Sequence, residues 1–433
     1  MNNLTDNKWF LGYIFSNMAV GLTMPLITLF VVVYLNSSVF YVGVVFALSS
    51  LASVPALIIW GNLSDRFKKR KIFIIIGFFG SFLSLILVFF INSIPSYILM
   101  LVLFQIITMA STPVSTLLIL ENSPKSAWAS IMGKFNAYSA LGTVMGLAMG
   151  VVVLMAFGNY SHIIIKYLYV IAAFIYLIAG ILSIFVLKEP RKKINRDKLN
   201  FLYTVRVIER IRYIPTHILH IPKIKNEKRI KIPGYLKNYL IMALIFMTGF
   251  QLFFVPYPVF MIREFNATNN EVFIMFLLSS LMSATTYMPA SRYMNYIGSN
   301  KMLSYAIMIR IMLFITVGTV SFFIIDNVFY LIFYIAMYGI FGALWSFIGL
   351  SEVTSISNMS DAAVRGKVIG FYNSFNGIGQ IVGSGLSGII AISIGYSGDF
   401  FISALVVLSG FIILIKTNPP DIETLIRRVK SRS

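Results

Sequence analysis

The sequence predicts an all-α membrane protein, with twelve transmembrane helices in two pseudo-symmetric six-helix bundles. Three observations carry that expectation. The apolar sequence is cut into stretches of about 20 residues, the length that spans a hydrocarbon core. Hydrophobic residues make up 58% of the chain and charged residues only 12%, against about a quarter charged in a soluble domain. Residue patterns of the first half also return in the second at a nearly fixed spacing.

The expected spans cover roughly 9–35, 40–60, 72–91, 97–119, 135–157, 163–187, 238–262, 271–290, 302–324, 327–350, 368–393 and 397–416. The first follows only eight residues and is too long, and too uncharged at its far end, for a cleaved signal peptide, so it reads as a permanent helix. Of 35 Lys and Arg, all but Lys166, Arg263 and Arg310 fall on one side of the membrane if the N-terminus is cytoplasmic. Positive charge accumulates on the cytoplasmic side of membrane proteins. The expectation is therefore a multi-pass protein of the cell membrane with both termini cytoplasmic. The exterior loops 36–39, 92–96 and 158–161 carry no basic residue. A net charge of +20 confined to short loops beside apolar spans speaks for contact with anionic lipid and against a nucleic-acid partner.

The longest polar stretch, 188–237, holds fifteen Lys or Arg against four acids. It divides the chain into an N-terminal bundle (1–187) and a C-terminal bundle (238–416), followed by a basic cytoplasmic tail (417–433). Within it, residues 201–214 place Leu202, Val205, Ile208 and Ile211 on one helical stripe, with Arg206, Glu209 and Arg210 elsewhere. That is the pattern of a helix lying in the membrane interface, and lipid anchoring is preferred to a regulatory role. His217 and His220 form an H-x-x-H pair with no evident third ligand, and the chain has no cysteine. Disulfides, thiol catalysis and thiolate metal sites are thereby excluded, and no metal or other cofactor is expected.

The repeat is explicit around two glycine-rich segments. GKFNAYSALGTVMG (133–146) and GFYNSFNGIGQIVG (370–383) align at an offset of 237, matching Gly133 with Gly370, Asn136 with Asn373, Gly142 with Gly379 and Gly146 with Gly383. Earlier in each half the offset is near 230, with Lys71 on Lys301 and Glu121 one step away on Glu352. A loop longer by about six residues, supplied by SEVTSISNMSDAAVRGK, accounts for the change. Parallel repeats of this kind enclose a space between them in transporters.

The segment GNLSDRFKKRK (61–71), between spans 2 and 3, resembles the G-x-L-x-D-R-x-G-R-[KR] signature of the major facilitator superfamily, with Lys68 at a position where that family usually has glycine. The resemblance covers the whole chain, including the 6+6 division, the basic central loop and the second-half counterpart SRYMNYIGSNK. It implies the major facilitator fold and a monomeric secondary carrier that works by alternating access. Gly61 allows close backbone approach, and Asp65 can face the positive end of another helix, worth about 0.3–1 kcal/mol when exposed and up to about 2 when partly buried. By resemblance that helix is span 11, beginning near Arg365. Gly61, Leu63, Asp65, Arg66, Arg70, Glu121 and Arg365 are thus the expected gate at the cytoplasmic end.

Gly133, Gly142, Gly146 and Gly150 match a glycine pattern associated with antiporters of the family, except that Leu147 stands where proline is usual. Glycines at every fourth residue line one helix face and let backbones approach. Close packing by these residues and by Gly370, Gly379 and Gly383 is therefore expected before a specific exchange role.

No Asp, Glu or His lies deep within spans 1, 4, 7 or 10. If protons are a partner, Glu121, Glu352 and Asp65 are the expected titrating groups. Arg310 in span 9 and Lys166 near the outer end of span 6 are expected to snorkel or to pair with neighbouring helices rather than to hold substrate. The expected solute cavity is lined by Asn17 and Thr23, by Gln105, Thr108 and Ser111, by Asn136 and Tyr138, by Gln251 and Tyr257, by Tyr338 and Trp345, and by Asn373, Asn376 and Gln380. Neutral, hydrogen-bonding and aromatic groups suit a small uncharged or amphipathic organic solute better than an inorganic ion or a dicarboxylate.

Efflux of a hydrophobic or drug-like compound ranks first, ahead of uptake of a neutral solute such as a sugar. A transport-inactive sensor of the same fold remains a third reading. A membrane enzyme is not expected, because His162, His217 and His220 are separated by topology and no catalytic acids gather with them. Sequons at Asn36, Asn159 and Asn266 fall in the exterior loops. Asp65→Asn is expected to leave membrane insertion intact but to impair solute flux in proteoliposomes, and wild-type flux from that variant would remove Asp65 from the gate.

Overall fold

The computed structural model describes residues 10–67, 69–112, 114–115, 118, 128–157, 163–187, 233–323, 328–360 and 365–417. The 201–214 stripe, the three histidines, Glu121 and Asn159 lie outside them, as do the side chains of Asp65 and Arg365. Among the described residues the chain is helical. Backbone polar groups in lipid must find partners within their own segment, and the helix supplies them.

The N-terminal half contains α1 (Phe10–Leu29), α2 (Val39–Phe67), α3 (Arg70–Val88), α4 (Ile94–Thr108), α5 (Trp128–Phe157) and α6 (Ile163–Val186). The C-terminal half contains α7 (Gly234–Phe254), α8 (Asn269–Ile297), α9 (Ser299–Val320) and α10 (Val328–Asn358). The stretch Arg365–Thr417 turns sharply at Gly395, whose φ of 77° is open to glycine, and so forms α11 (365–394) and α12 (396–417). Ten helices are apolar and long enough to cross a membrane, the last of them being α11 and α12 together, and the shorter α4 completes twelve. α7 breaks at Pro256, which cannot donate a backbone bond, and resumes as a short segment, Tyr257–Glu264.

The repeat is visible in the backbone. α1 ends in a π-turn, Phe30–Tyr34, and the chain then passes through Asn36 in the left-handed region. The short segment after α7 leads likewise to Asn266, with φ of 47° and 50° at the two positions. These residues are 230 apart, the offset of the early spans. Inside the halves, Phe30 lies against Tyr97 and Tyr169 with ring centroids 4.3 and 5.7 Å away, and Phe260 lies against Tyr334 and Phe400 at 5.1 and 5.3 Å.

Glycines join the helices within each half. A Cβ on Gly142 would fall on the carbonyl oxygen of Ile14, and one on Gly146 on that of Met18. In the other half, Gly379 stands against the carbonyl of Leu244 and Gly383 against that of Thr248. Ile14 and Met18 precede Leu244 and Thr248 by 230 while the glycines are 237 apart, so both offsets meet in one three-dimensional repeat. Lipid tails are as apolar as the helix surfaces, so such dispersion contacts, rather than water exclusion, hold membrane helices together. Gly133 departs from the expected packing role: it is exposed, and a Cβ there meets nothing within 4 Å. Gly150 packs on the Phe273 ring of α8 and on Leu22 of α1.

Two seams, α2 with α11 and α5 with α8, join the halves. Gly146→Val is expected to force α5 off α1 and cost about 1–3 kcal/mol or more, read as a lower melting temperature of the purified protein. Gly133→Ala, with open space around it, should melt at or slightly above the wild-type temperature.

Candidate functional site

The seam between α2 and α11 is closed at one end and open at the other. Gly43 lies on Ser384 and Ser387, and Gly388 lies on Phe40. Further along, Ala47 and Val54 approach Gly385 and Gly377, each 3.7 Å from the position a Cβ would take. The same antiparallel register would next oppose Gly61 to Gly370, yet a Cβ on Gly61 meets nothing within 4 Å. The helices therefore part toward the end that carries Arg66, Lys69, Arg70 and Lys71, the basic end.

The second seam behaves alike. Gly150 meets Phe273 near the opposite end, whereas toward the basic end Asn136 and Thr285 are exposed, with Tyr138 39% and Tyr287 47% exposed. A crevice between the halves thus opens toward the basic end. At the shut end, Arg263 Nη2 donates across the halves to Asn36 Oδ1 at 3.4 Å and to the Ser37 carbonyl at 3.2 Å.

The expected cavity residues divide into two groups. Asn136, Tyr138 and Asn373 are exposed, and Asn17, Gln105, Gln251, Asn376 and Gln380 are half-buried. Asn17 Nδ2 donates to the Tyr13 carbonyl at 2.8 Å, and Ser384 Oγ donates to Gln251 Oε1 at 3.2 Å.

Tyr257 and Tyr338 depart from the expected lining. Both are buried in the aromatic core of the C-terminal half, where their rings lie 5.2 Å apart, and Tyr257 donates to the Tyr334 carbonyl at 2.8 Å. A tyrosine in a span satisfies its hydroxyl against backbone as readily as against solute, and residue type alone does not distinguish the two. Thr108 is engaged with Ser81 of α3 at 2.9 Å and with its own helix, while Thr23 and Ser111 are buried and bonded to backbone.

In the expected gate, Arg70 is buried and donates to Ser64 Oγ at 2.7 Å, Lys71 donates to the Ile184 carbonyl, Leu63 is half-buried and Arg66 is exposed. With Gly61 standing clear of α11, this end of α2 makes no close contact with the other half at that position.

Of the two roles expected for Arg310, it takes helix pairing and does not snorkel. It is 0% exposed and stacks on Phe250 at 4.4 Å from the ring centroid, with Phe254 and Trp345 each at 5.5 Å. Nη2 donates to the Phe341 carbonyl at 3.0 Å, while Nε and Nη1 have no partner. Aromatic faces attract a desolvated cation strongly, which explains how the charge is tolerated. Trp345 is itself 40% exposed. Glu352 on α10 is buried, accepts from the Tyr372 hydroxyl at 2.6 Å, and interacts electrostatically with Arg310. Lys166 does pair between helices, donating to Asn92 Oδ1 at 2.7 Å under the Tyr34 ring. Asp399, at the shut end of α12, escaped the sequence reading. A lone carboxylate just inside a span boundary looks like loop sequence.

The sequence model of the Major Facilitator Superfamily matches residues 9–353 and, in a second match, 239–432. A multi-drug resistance efflux pump, PmrA, of Streptococcus pneumoniae serotype 4 (strain ATCC BAA-334 / TIGR4), is 23% identical over 420 residues, covering 94% of both chains. Among solved structures, a point-mutant form of the nucleoside transporter NupG superposes with a TM-score of 0.76 at 13% identity, covering 96% of this chain and 100% of that one. A D-xylose-proton symporter superposes with a TM-score of 0.70 at 12% identity, covering 94% and 95%. At such identities the superpositions speak for the fold alone.

Because the Arg263 bonds join the halves only at the shut end, Arg263→Ala is expected to loosen that end by about 1 kcal/mol, roughly a fivefold shift. Faster alkylation of a cysteine placed at Ser38, in a chain with none of its own, reads that shift.

Proposed function

Since the chain belongs to the Major Facilitator Superfamily of secondary transporters and is not an enzyme, we propose that it exports a hydrophobic or drug-like organic solute from the cytoplasm by alternating access. The observation that carries this reading is the crevice between the halves, shut at the end with Arg263 and open at the basic end. The positive-inside rule makes the basic end cytoplasmic, so the conformer is poised to load from the cytoplasm.

The mouth of the crevice offers Asn136, Tyr138, Asn373 and the edge of Trp345, which are neutral and aromatic. Such groups hold an amphipathic solute by stacking and hydrogen bonds without demanding a charge. The likeness to a multi-drug efflux pump across 94% of both chains supports export over uptake.

The latch of Gly61, Leu63, Asp65, Arg66, Arg70, Glu121 and Arg365 then acts in the other half of the cycle. When the cytoplasmic mouth closes, α2 continues its register along α11 from Val54 and Gly377 to Gly61 and Gly370, and Asp65 comes to the first turn of α11 near Arg365. Its charge is favourable there. Glu352, buried and held by the Tyr372 phenol, is the acid at this end suited to exchange a proton with the cytoplasm. Anionic lipid at the cytoplasmic face steadies the basic loops.

Uptake of a neutral solute is the second reading, favoured by the amide side chains Asn17, Gln105, Asn376 and Gln380, which can hydrogen-bond sugar or nucleoside hydroxyls. Proteoliposomes loaded with a lipophilic cation, a nucleoside or a sugar, with and without a pH gradient, separate the readings. Export predicts movement of the lipophilic compound several-fold above protein-free vesicles. Movement of the sugar or nucleoside alone replaces that reading by uptake, and no movement of any solute leaves the sensor.

A further inference from the structure

Among the described residues, Asp399 is the buried acid whose carboxyl oxygens have no hydrogen-bond partner. It is 0% exposed, and neither carboxyl oxygen meets a donor, although its main-chain carbonyl accepts from Ser403 Oγ at 2.8 Å. Its place on α12 is fixed from both sides. Four residues on, the Ser403 carbonyl lies against Gly249 of α7. Three residues back, the Tyr396 ring lies 5.6 Å from Phe260 on the short segment that follows the α7 break. Asp399 is therefore abreast of that break, where α7 is interrupted at Pro256.

The surroundings hold no countercharge. On α7 the ionisable groups toward this end are Arg263 and Glu264, at the mouth, and Tyr257, which is turned to Tyr334. On α9, which packs on α12 through Gly318 and Phe401, the one charge beyond the basic end is Arg310, engaged with Phe341 and Phe250. α10 presents Tyr334, and the first residue of α12 is Tyr396. A buried carboxylate with neither a cation nor a hydrogen-bond donor is far costlier than the neutral acid. The neighbouring Gly395, Tyr396 and Ser397 line a cleft at the same mouth, together with Asn36, Ser37, Ser38, Phe260, Arg263 and Glu264. That cleft borders the start of α12, two residues from Asp399 at Ser397.

We propose that Asp399 is a proton-binding site that fastens the exterior mouth, protonated while the mouth is shut and ionised when α7 and α12 part there. The proton comes from exterior water, forming one O–H bond on the carboxyl group, and returns to it on opening. The sign follows directly. The shut state binds one more proton than the open state, so acid favours shutting and a rise in pH favours opening, by up to about tenfold in the open-to-shut ratio per pH unit. The proposal rests on the alternating-access reading above.

The cysteine-free chain allows the test on the full-length protein in lipid nanodiscs. Spin labels on Ser96→Cys and Ser393→Cys, exposed at the exterior ends of the two halves, report the mouth by electron–electron distance measurement between pH 5 and 8. In the otherwise unchanged chain the long-distance population should grow as pH rises. Asp399→Asn, which has the shape of the neutral acid, and Asp399→Ala should both stay shut across the range, with Glu264→Gln retaining the growth. Equal growth in the Asp399 variants, or no pH dependence in the parent, overturns the proposal. The same labels read with a lipophilic cation present at fixed pH test alternation separately, because a solute-driven change without a pH-driven one removes Asp399 and keeps the carrier.

Discussion

Direct contact between glycine Cα atoms and main-chain carbonyls is the interaction on which the rest of this architecture depends. In lipid there is no water to expel, so two helices adhere only as well as their surfaces fit. Gly142 and Gly146 set α5 on α1, and Gly379 and Gly383 set α11 on α7. Each seam between halves uses one of the helices so positioned: α5 meets α8, and α11 meets α2. The glycines build rigid halves, and rigidity within a half is what turns a change at the seam into a change of access.

The seams have a different chemistry. Gly43 and Gly388 seat the shut ends of α2 and α11 closely, but past Val54 and Gly377 the contact lapses, and Arg263 supplies the described polar bonds from one half to the other. Inside the C-terminal half the packing is aromatic, with Phe253 stacked on Phe314 at 3.8 Å. Two packings of similar energy are the condition for a two-state carrier.

Buried charge follows the same division. Arg310 and Glu352 interact inside the C-terminal half, and Lys166 is neutralised by dipoles and rings inside the N-terminal half. Their N-terminal counterparts by repeat position are different: Arg310 stands 230 residues after Gly80, which packs on Ile107. Where one half lays a glycine against an isoleucine side chain, the other inserts a cation.

Helix number, the 6+6 division, the double offset of 230 and 237 and the glycine stripe were legible in the chain, because span length, charge sorting and small-residue spacing are one-dimensional consequences of a lipid solvent. Asn136 and Asn373, expected on the cavity from residue type, are exposed. Tyr257 and Tyr338 were not distinguishable from lining residues, because which face of a helix looks inward depends on the break at Pro256. Arg310 was legible as a cation that pairs with a neighbouring helix, but its distance along the span says nothing of the three rings around it. Asp399 was missed because only the packing of α12 on α7 removes it from water. Sequence thus determined what crosses the membrane and how often, whereas tertiary structure decided which polar groups lost their solvent. Burial is a property of several helices at once and is written in none of them singly.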